Sequence, residues 1–301
     1  MTGPAEVGRY RVWLLAARPK TLAAAAAPVA AGTGLAAASG RFSLLPAAAA
    51  LLGALLIQVA TNLANDYFDF VKGGDTPSRV GPTRVTQAGL LAAESVRIAM
   101  WVVLASAFGV GIYLVSVGGW PIVVIGLASL VCAVAYTGGP FPLAYHGLGD
   151  LFVFIFFGLV AVGGTYYVQA LSLSEGAVWA GVGLGAFSTA ILVVNNLRDR
   201  ETDQAAGKRT LAVRIGDRAT VAQYMGCLSV AAWVPIWGIA GLGWTRWALL
   251  ALLGIVVAAP AARKVLVFQD RVALNPALGI TARGVGIYGF GLGLGLWIGV
   301  F

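Results

Sequence analysis

The stretch that decides the fold is Asn62-Leu63-Ala64-Asn65-Asp66-Tyr67-Phe68-Asp69, a polar octet that ends a long apolar run. A second octet, Asn196-Leu197-Arg198-Asp199-Arg200-Glu201-Thr202-Asp203, ends another apolar run 134 residues later. Both carry asparagine at the first position, asparagine or aspartate three residues later, and aspartate seven residues later. On an α-helix these offsets fall on one face. Each octet is therefore predicted to project a strip of oxygen ligands from the mouth of a membrane span into a shared cavity.

The composition predicts a polytopic membrane protein. Hydrophobic residues make up 59% of the 301 residues and charged residues only 11%, a composition foreign to soluble domains. A membrane-spanning helix needs roughly 20 mostly apolar residues. We predict an all-α bundle of nine transmembrane helices around a central cavity that opens to the cytoplasmic side, in one domain of residues 1–301, with Pro260 ending the eighth helix. The predicted spans, numbered 1 to 9, are 21–38, 44–65, 96–117, 120–136, 151–171, 177–197, 219–240, 246–262 and 283–301.

The distribution of basic residues predicts the orientation. If the tail 1–20 is cytoplasmic, 18 of the 20 lysines and arginines lie in the tail and in the connections after spans 2, 6 and 8, and only Arg41 and Arg246 face the other way. Such an asymmetry indicates that these connections are cytoplasmic, as in a multi-pass protein of the cell membrane. The net charge is +8, but the basic residues do not form a separate basic domain that could bind nucleic acid. We therefore expect the lipid bilayer, and no nucleic acid, as a partner. Nothing in the sequence indicates an obligate protein partner.

Two long connections and the matching octets indicate how the chain is organised. Both octets end an even-numbered span and lead into the connections 66–95 and 198–218, and this pattern indicates an internal repeat of spans 1–4 and 5–8. Connections of this length in a compact protein are usually functional. We expect short cap helices in both. Glycine and alanine are frequent within the spans, for example from Gly289 to Gly295, and predict close helix packing in lipid.

The acidic residues of the octets are the first candidates for chemistry. A carboxylate at mid-bilayer costs about 2.5–3.5 kcal/mol on insertion scales, so Asp66, Asp69, Asp199 and Asp203 are expected near the interface or facing a wet cavity. Pairing with nearby basic residues would explain single acids, but it does not explain the repeated spacing. Oxygen ligands that leave room for substrate phosphates are typical of Mg²⁺. We therefore predict a magnesium and diphosphate site.

Basic residues follow the acids in both connections. Alone, each of them is most simply a cytoplasmic positive charge. Next to a metal cluster, some are expected to contact a diphosphate, and Lys208 and Arg209 come first because they follow Asp203 most closely. The other members of this basic set are Lys72, Arg79, Arg84 and Arg214.

The connection after span 4, residues 136–150, contains no lysine or arginine. It carries two tyrosines, the single histidine of the chain and several turn-forming residues. Its composition fits an aromatic pocket and a stiff turn equally well. We expect His146 to be an interfacial residue rather than a catalytic base, and Asp150 to cap the next helix.

These residues resemble the UbiA superfamily of intramembrane aromatic prenyltransferases along nearly the whole chain. Asn65-Asp66-x-x-Asp69 is similar to the first aspartate-rich motif of that superfamily, and Asn196-x-x-Asp199-x-x-x-Asp203 is similar to the second. The likeness is closest to the branch that prenylates 1,4-dihydroxy-2-naphthoate in menaquinone synthesis. The further segments that carry this likeness are 18–22, 65–70 with 74–76, 81–84, 136–140 with 147–150, and 207–214.

The resemblance implies a reaction and a role for each candidate residue. A polyprenyl group passes from an allylic polyprenyl diphosphate to 1,4-dihydroxy-2-naphthoate, which loses CO₂ and a proton to give demethylmenaquinol. The implied Mg²⁺ ligands are Asp66, Asp69, Asp199 and Asp203, assisted by Asn65 and Asn196. The implied diphosphate contacts are Lys72, Arg84, Arg198, Lys208 and Arg209. Arg18, Tyr136 and Tyr145 are assigned to the aromatic acceptor, and Asp75 or Tyr136 to proton transfer.

Other functions stay open from the sequence alone. Within the same class, the acceptor could be 4-hydroxybenzoate, homogentisate, haem or a sugar phosphate. A transporter for an anionic or metal-bound solute is the alternative from another class, although its ligands would be expected at broken helices deep in the membrane. A purely structural scaffold does not account for two matched strips of ligands.

Overall fold

The computed structural model describes residues 8–73, 81 and 84–299, and within this part the chain is helical with no strand. Eight helices are long and apolar enough to cross a membrane, and a ninth apolar helix of 16 residues, Trp120–Ala135, is shorter. The nine helices match the predicted spans in order, so we keep the span numbers for them. Their bounds are Pro19–Ala38, Leu44–Val71, Ala93–Gly118, Trp120–Ala135, Gly149–Ala170, Glu175–Ala205, Leu211–Gly241, Arg246–Val267 and Asn275–Ile298.

The helices that carry the two octets are longer than predicted. Span 2 continues to Val71 and span 6 to Ala205, because the apolar run marks only the part of a helix that crosses lipid, while backbone hydrogen bonding continues beyond it. Both octets therefore lie on helices. Span 8 also continues past Pro260 to Val267, so the prediction that this proline ends the helix is wrong; membrane helices tolerate an internal proline because neighbouring groups satisfy the freed backbone.

The connections differ from the predicted loops. A short helix, Arg9–Ala17, precedes span 1 and is joined to it by Arg18, which has a left-handed backbone with φ of 52°. A non-glycine residue in this region is uncommon and usually held by its surroundings. In the connection after span 6, a helical turn from Leu211 precedes a break at Gly216 (φ 80°, ψ 174°) within the span 7 helix. Residues 84–92 after span 2 form turns without a helix, so the expected cap helix of that connection would have to lie outside the described residues.

Two packed groups of helices flank a central cavity. One hydrophobic core joins spans 1 and 5 to 9, and the other joins the N-terminal helix to spans 2, 3 and 4. Small residues permit close approach, as predicted: a Cβ built on Gly34 of span 1 would clash with the backbone oxygen of Gly293 of span 9. The cavity between the groups takes its wall mainly from spans 1 to 6.

Candidate active site

Both strips of oxygen ligands line one cavity of about 890 Å³. Spans 2 and 6 place them there, because the offsets of zero, three and seven residues fall on one face of each helix, as the sequence predicted. The lining residues from the strips are Asn62, Asn65, Asp69, Asn196, Asp199 and Asp203. Among the described residues, no three acids, histidines or cysteines are grouped closely enough to form a complete metal site by themselves.

Asp69 is the centre of a buried charge cluster. Its Oδ1 accepts hydrogen bonds from Tyr145 Oη at 2.9 Å and Lys208 Nζ at 3.0 Å, and its Oδ2 accepts one from Arg84 Nη2 at 3.0 Å. The side chains of Asp69, Arg84 and Lys208 are all less than one-tenth exposed. Burial makes these charge-assisted contacts stronger than they would be in water. The cluster therefore places two cations and a hydroxyl donor at the cavity wall beside the first strip.

Asp199 is held by its neighbour in sequence. Arg198 Nε donates to Asp199 Oδ1 at 2.7 Å and Arg198 Nη2 to Asp199 Oδ2 at 2.6 Å. The same guanidinium donates to Asn195 and to Asn275 at the start of span 9. Asp199 lines the cavity, whereas Arg198 is 1% exposed and does not. Arg198 thus contacts the carboxylate from behind, and the structure does not bring it to the cavity as a diphosphate ligand.

Asp66, which was predicted as a metal ligand, is not part of the cavity wall. Its two carboxylate oxygens accept hydrogen bonds from the backbone N–H groups of Val85 at 3.2 Å and Thr86 at 3.0 Å, and Arg18 Nη2 lies 3.9 Å away. The physical reason is its position in the octet: an offset of four residues turns it to the edge of the strip. At this position, the Asp66 carboxylate connects the backbone of the connection after span 2 to the helix that carries Asp69 through hydrogen bonds.

Two of the predicted diphosphate cations also lie away from the cavity wall. Lys72 is exposed and donates to the backbone oxygens of Thr137 at 2.8 Å and Gly139 at 3.2 Å, where span 4 ends. The Arg209 side chain is exposed, while its backbone N–H donates to the Tyr145 carbonyl. Of the predicted diphosphate cations that the structure describes, only Lys208 and Arg84 line the cavity together with the strips, and Arg79 lies outside the described residues.

The three residues assigned to the aromatic acceptor, Arg18, Tyr136 and Tyr145, all line the cavity. Lys208 Nζ lies 4.9 Å and Lys72 Nζ 5.4 Å from the centre of the Tyr145 ring, so this ring makes cation–π contacts with both. Asp75, assigned to proton transfer, lies outside the described residues.

Tyr136 is a neutral hydroxyl at the edge of the charge cluster. Burial raises the pKa of Tyr136 above its usual range, and the negative charges of Asp150, Asp69 and Asp203 raise it further. Its oxygen lies 2.8 Å from the position that a Cβ on Gly149 would take. The hydroxyl stays protonated at neutral pH, so Tyr136 can donate a hydrogen bond but is a poor base.

Sequence reasoning missed Gln58 and Thr21, which form a polar group with Asn62 of the first octet deeper in the cavity. Gln58 and Asn62 of span 2 and Thr21 of span 1 line it and are hydrogen-bonded to one another. A signal was present, because Gln58 interrupts an apolar run at the middle of span 2, and polar residues within the membrane often mark functional sites. Thr137, which donates to Asn65 Oδ1 at 2.9 Å, was also missed; nothing in its spacing indicated this contact.

Comparison with known proteins adds family membership to this geometry. Residues 25–278 match the model of the UbiA prenyltransferase family. The chain is 36% identical to 1,4-dihydroxy-2-naphthoate octaprenyltransferase of Escherichia coli over 93% of this chain and 92% of that protein. It is 42% identical to the enzyme of the same name from Mycobacterium tuberculosis over 74% and 76% of the two chains.

Solved structures support the same fold. An apo UbiA homologue from Aeropyrum pernix aligns with a TM-score of 0.70 at 16% identity, covering 90% of this chain and 96% of that one. A homologue from Archaeoglobus fulgidus bound to GPP and Mg²⁺ aligns with a TM-score of 0.62 at 15% identity, covering 93% and 99%. The match to the family model over residues 25–278, together with the relatives at 36% and 42% identity, shows that the chain belongs to the UbiA prenyltransferase family.

Proposed function

We propose that this protein transfers a polyprenyl group from an allylic polyprenyl diphosphate to 1,4-dihydroxy-2-naphthoate, with loss of CO₂, to give demethylmenaquinol and diphosphate. The observation that carries the proposal is the cavity itself, in which two strips of oxygen ligands and the cations Lys208 and Arg84 lie at one end of a largely apolar chamber. The names of the relatives from Escherichia coli and Mycobacterium tuberculosis support naphthoate as the acceptor.

The donor set fits magnesium. Carboxylate and amide oxygens from Asp69, Asn65, Asn196, Asp199 and Asp203 line the cavity, and these are the hard ligands that Mg²⁺ prefers. The absence of a three-acid cluster among the described residues suits an ion that keeps several waters and completes its shell with substrate phosphates. When bound, Mg²⁺ supplies positive charge to the diphosphate leaving group. The Archaeoglobus fulgidus homologue, whose structure contains GPP and Mg²⁺, supports this assignment.

Lys208 and Arg84 stabilise the departing diphosphate. Both cations hydrogen-bond to Asp69 from buried positions on the cavity wall. They are thus fixed beside the place where negative charge develops as the allylic C–O bond breaks, and fixed donors of this kind need no reorganisation during the reaction. The sequence suggested three further cations for this task, but they lie away from the cavity wall. We assign them to holding the structure around the site; they are Lys72, Arg198 and Arg209.

The apolar wall protects the allylic cation. Below the strips, the cavity is lined by side chains such as Phe152, Phe156 and Phe157 of span 5, which exclude water from a cation that would otherwise be hydrolysed. The electron-rich naphthoate ring attacks this cation and forms the new C–C bond, and the attacked ring carbon gives up its proton. Loss of CO₂ from the carboxylate then leaves a ring carbon that takes up a proton, so the transfer releases no net proton. Arg18 orients the ring carboxylate by charge pairing, while the neutral Tyr136 donates a hydrogen bond. Asp75 remains a candidate for receiving the proton.

The charge distribution supports a cytoplasmic active site. The mouth of the cavity holds the ends of spans 2 and 6, which lead into the connections richest in lysine and arginine. By the positive-inside rule these connections face the cytoplasm, where a soluble aromatic acid and a diphosphate would reach the mouth. We therefore place the protein in the cell membrane with its N-terminus on the cytoplasmic side.

The test is turnover by the purified protein in lipid nanodiscs. Assays with an allylic polyprenyl diphosphate and each of the candidate acceptors should give a prenylated product only with 1,4-dihydroxy-2-naphthoate. That product should be the decarboxylated demethylmenaquinol, and EDTA should abolish its formation. Asp199→Asn should lose at least about a thousandfold in kcat/KM, because a cavity ligand loses its charge while the helix remains intact.

Asp270→Asn is the matched control. Asp270 is exposed and caps the turn before span 9, where asparagine caps equally well. Its variant should retain full activity. Prenylation of another acceptor in preference to naphthoate, or full activity of Asp199→Asn, would overturn the proposal.

A further inference from the structure

The polar group formed by Thr21, Gln58 and Asn62 lines the cavity and has no role in the proposed reaction. Gln58 lies at the middle of span 2, eleven residues before Asp69. At 1.5 Å per residue, it is about 16 Å further along the helix axis. Beyond it, span 2 contributes Gly53, Ala54 and Ala50 to the wall, so Gln58 lies at the boundary between the polar mouth and the apolar depth.

The hydrogen bonds fix the orientation of every amide in the group. The Ala17 carbonyl can only accept, so Asn62 Nδ2 faces it at 2.9 Å and Asn62 Oδ1 points the other way. Gln58 Nε2 then donates to Asn62 Oδ1 at 3.3 Å and to Thr21 Oγ1 at 3.2 Å. Thr21 is fixed in turn, because its hydroxyl donates to the Arg18 carbonyl at 2.9 Å. The network therefore leaves the Gln58 oxygen unpaired, and exchanging the amide oxygen and nitrogen of Gln58 would not remove this effect.

That oxygen has no hydrogen-bond donor among the described atoms. Gln58 is 8% exposed, and its Oε1 is buried without a partner. An unsatisfied buried acceptor costs about 1–3 kcal/mol. A glutamine that served only to join spans 1 and 2 would have both ends of its amide occupied, whereas here the donor end is used twice and the acceptor end is not used.

The chemistry of the substrates decides which of them supplies the donor. An isoprenoid chain has no hydrogen-bonding group, and a diphosphate or a carboxylate only accepts. A phenolic hydroxyl donates. We propose, as a deepening of the proposed function on which it rests, that Gln58 Oε1 accepts a hydrogen bond from a ring hydroxyl of the aromatic acceptor, and that Asn62 and Thr21 are positioning residues that hold Gln58 for this contact.

This contact makes Gln58 a specificity-determining residue. It selects a ring that carries a hydroxyl at the far side from the diphosphate, because the polar group lies deeper than Asp69 by several helical turns. A site that hydrogen-bonds a substrate hydroxyl rejects an analogue without it, since the buried acceptor is then left unpaired.

The experiment compares acceptors that differ by one hydroxyl. Inhibition constants of 1-hydroxy-2-naphthoate and 4-hydroxy-2-naphthoate are measured against 1,4-dihydroxy-2-naphthoate with the intact protein in nanodiscs and saturating prenyl diphosphate. The wild type should bind one of the two analogues about 5- to 150-fold more weakly than the other. In Gln58→Met, which keeps the length of the side chain, this ratio should fall to near one while the KM for the prenyl diphosphate stays unchanged.

Two further variants separate recognition from structure. Gln169→Met removes an equivalent glutamine that contacts Thr33 and Ser43 outside the cavity, and it should retain the wild-type ratio. Thr21→Val keeps the shape of Thr21 but removes a partner of Gln58, so the ratio should fall partway even if Gln58→Met cannot be extracted as folded protein.

The outcomes distinguish this inference from the proposed function. A wild type that prenylates naphthoate but binds both analogues equally, or a Gln58→Met variant that keeps the wild-type ratio, would overturn the role of Gln58 alone. A wild type that prenylates a different phenol would overturn the proposed function. In that case, the same ratio measured with dehydroxylated analogues of that phenol would still support or overturn the role of Gln58.

Discussion

At the end of span 2, Asp69 is held by three side chains that come from three different connections, whereas at the end of span 6 Asp199 is held by the residue next to it. Arg84, Tyr145 and Lys208 follow spans 2, 4 and 6, respectively, and meet at Asp69. Arg198 instead contacts Asp199 from within the same helix. The two octets share the spacing of their oxygen ligands, but different kinds of residues hold the two aspartates in place.

The difference indicates a division of labour between the two ends. The hydrogen bonds to Asp69 form only when three connections are folded against one another. The two cations that make them lie on the cavity wall, where a diphosphate can replace Asp69 as their partner. Asp199 is contacted by the arginine next to it in sequence, and this cation lies behind the cavity wall. We expect the end of span 2 to rearrange when substrate binds and the end of span 6 to stay fixed.

Among the residues that support the two aspartates, Lys208 should produce the largest change when it is replaced, as Lys208→Met. Lys208 is a buried cavity cation, and loss of one donor at a developing negative charge costs about 10²–10³ in rate. We expect kcat/KM for the prenyl diphosphate to fall by this factor, with a small change in Tm because Asp69 keeps Arg84 and Tyr145. Lys72→Met is the matched control, and an exposed lysine bonded to backbone carbonyls should contribute less than about tenfold. Equal losses in both variants would contradict the assignment of Lys208 to the leaving group.

Arg198→Met should have the next largest effect and of a different kind. Removing Arg198 leaves Asp199, Asn195 and Asn275 without their shared partner. Outer contacts of this kind orient metal ligands, and their loss typically costs 10- to 100-fold in metal affinity. Titration of activity with Mg²⁺ should show this shift, together with a lower Tm. Arg200→Met, which breaks a partly exposed pair with Asp217, should leave both readouts nearly unchanged. If the KM for the prenyl diphosphate rises while the Mg²⁺ titration does not shift, Arg198 is instead a substrate ligand.

Helical spacing explains which parts of the site were predictable. The offsets of zero, three and seven residues identified Asn65, Asp69, Asn196, Asp199 and Asp203 as one wall, and all five line the cavity. This inference depends only on the 3.6-residue repeat, which holds wherever the chain is helical. The ends of the helices were less predictable, because hydropathy changes where lipid ends, while helical hydrogen bonding in spans 2 and 6 continues.

The partners of the charged residues could not be predicted in this way. Sequence proximity suggested Arg209 as readily as Lys208, but their side chains point to different surroundings, and only Lys208 reaches Asp69. Tertiary packing decides such contacts, since each joins residues that are far apart in the chain. The same applies to Tyr145, which lies 76 residues from Asp69.

Tyr136→Phe should have a moderate effect that does not depend on pH. Because burial raises the pKa of Tyr136 above that of a free tyrosine, the hydroxyl is neutral below about pH 10. Its contribution to folding is fully present below that pH and is lost only as the pH rises through the higher value of the folded state. The variant should lose up to about tenfold in kcat/KM, the value of one hydrogen bond, by the same factor at every pH from about 6.5 to about 9. A loss that grows with pH would mean that Tyr136 acts as a base.

Asp66→Asn should have the smallest effect, and it separates the two adjacent roles within the first octet. Asparagine keeps one acceptor oxygen, so only one of the N–H groups of Val85 and Thr86 loses its partner, at a cost of about 1–3 kcal/mol. We expect a lower Tm, faster proteolysis of the connection after span 2, and kcat within about tenfold of the wild type. Asp69→Asn should show the reverse pattern: lost turnover at saturating Mg²⁺ with the connection still protected. If Asp66→Asn loses turnover as fully as Asp69→Asn while the connection stays protected, Asp66 leaves its backbone partners during the reaction and binds the metal. In that case, both Asp66 and Asp69 would exchange their hydrogen-bond partners for the metal when substrate binds.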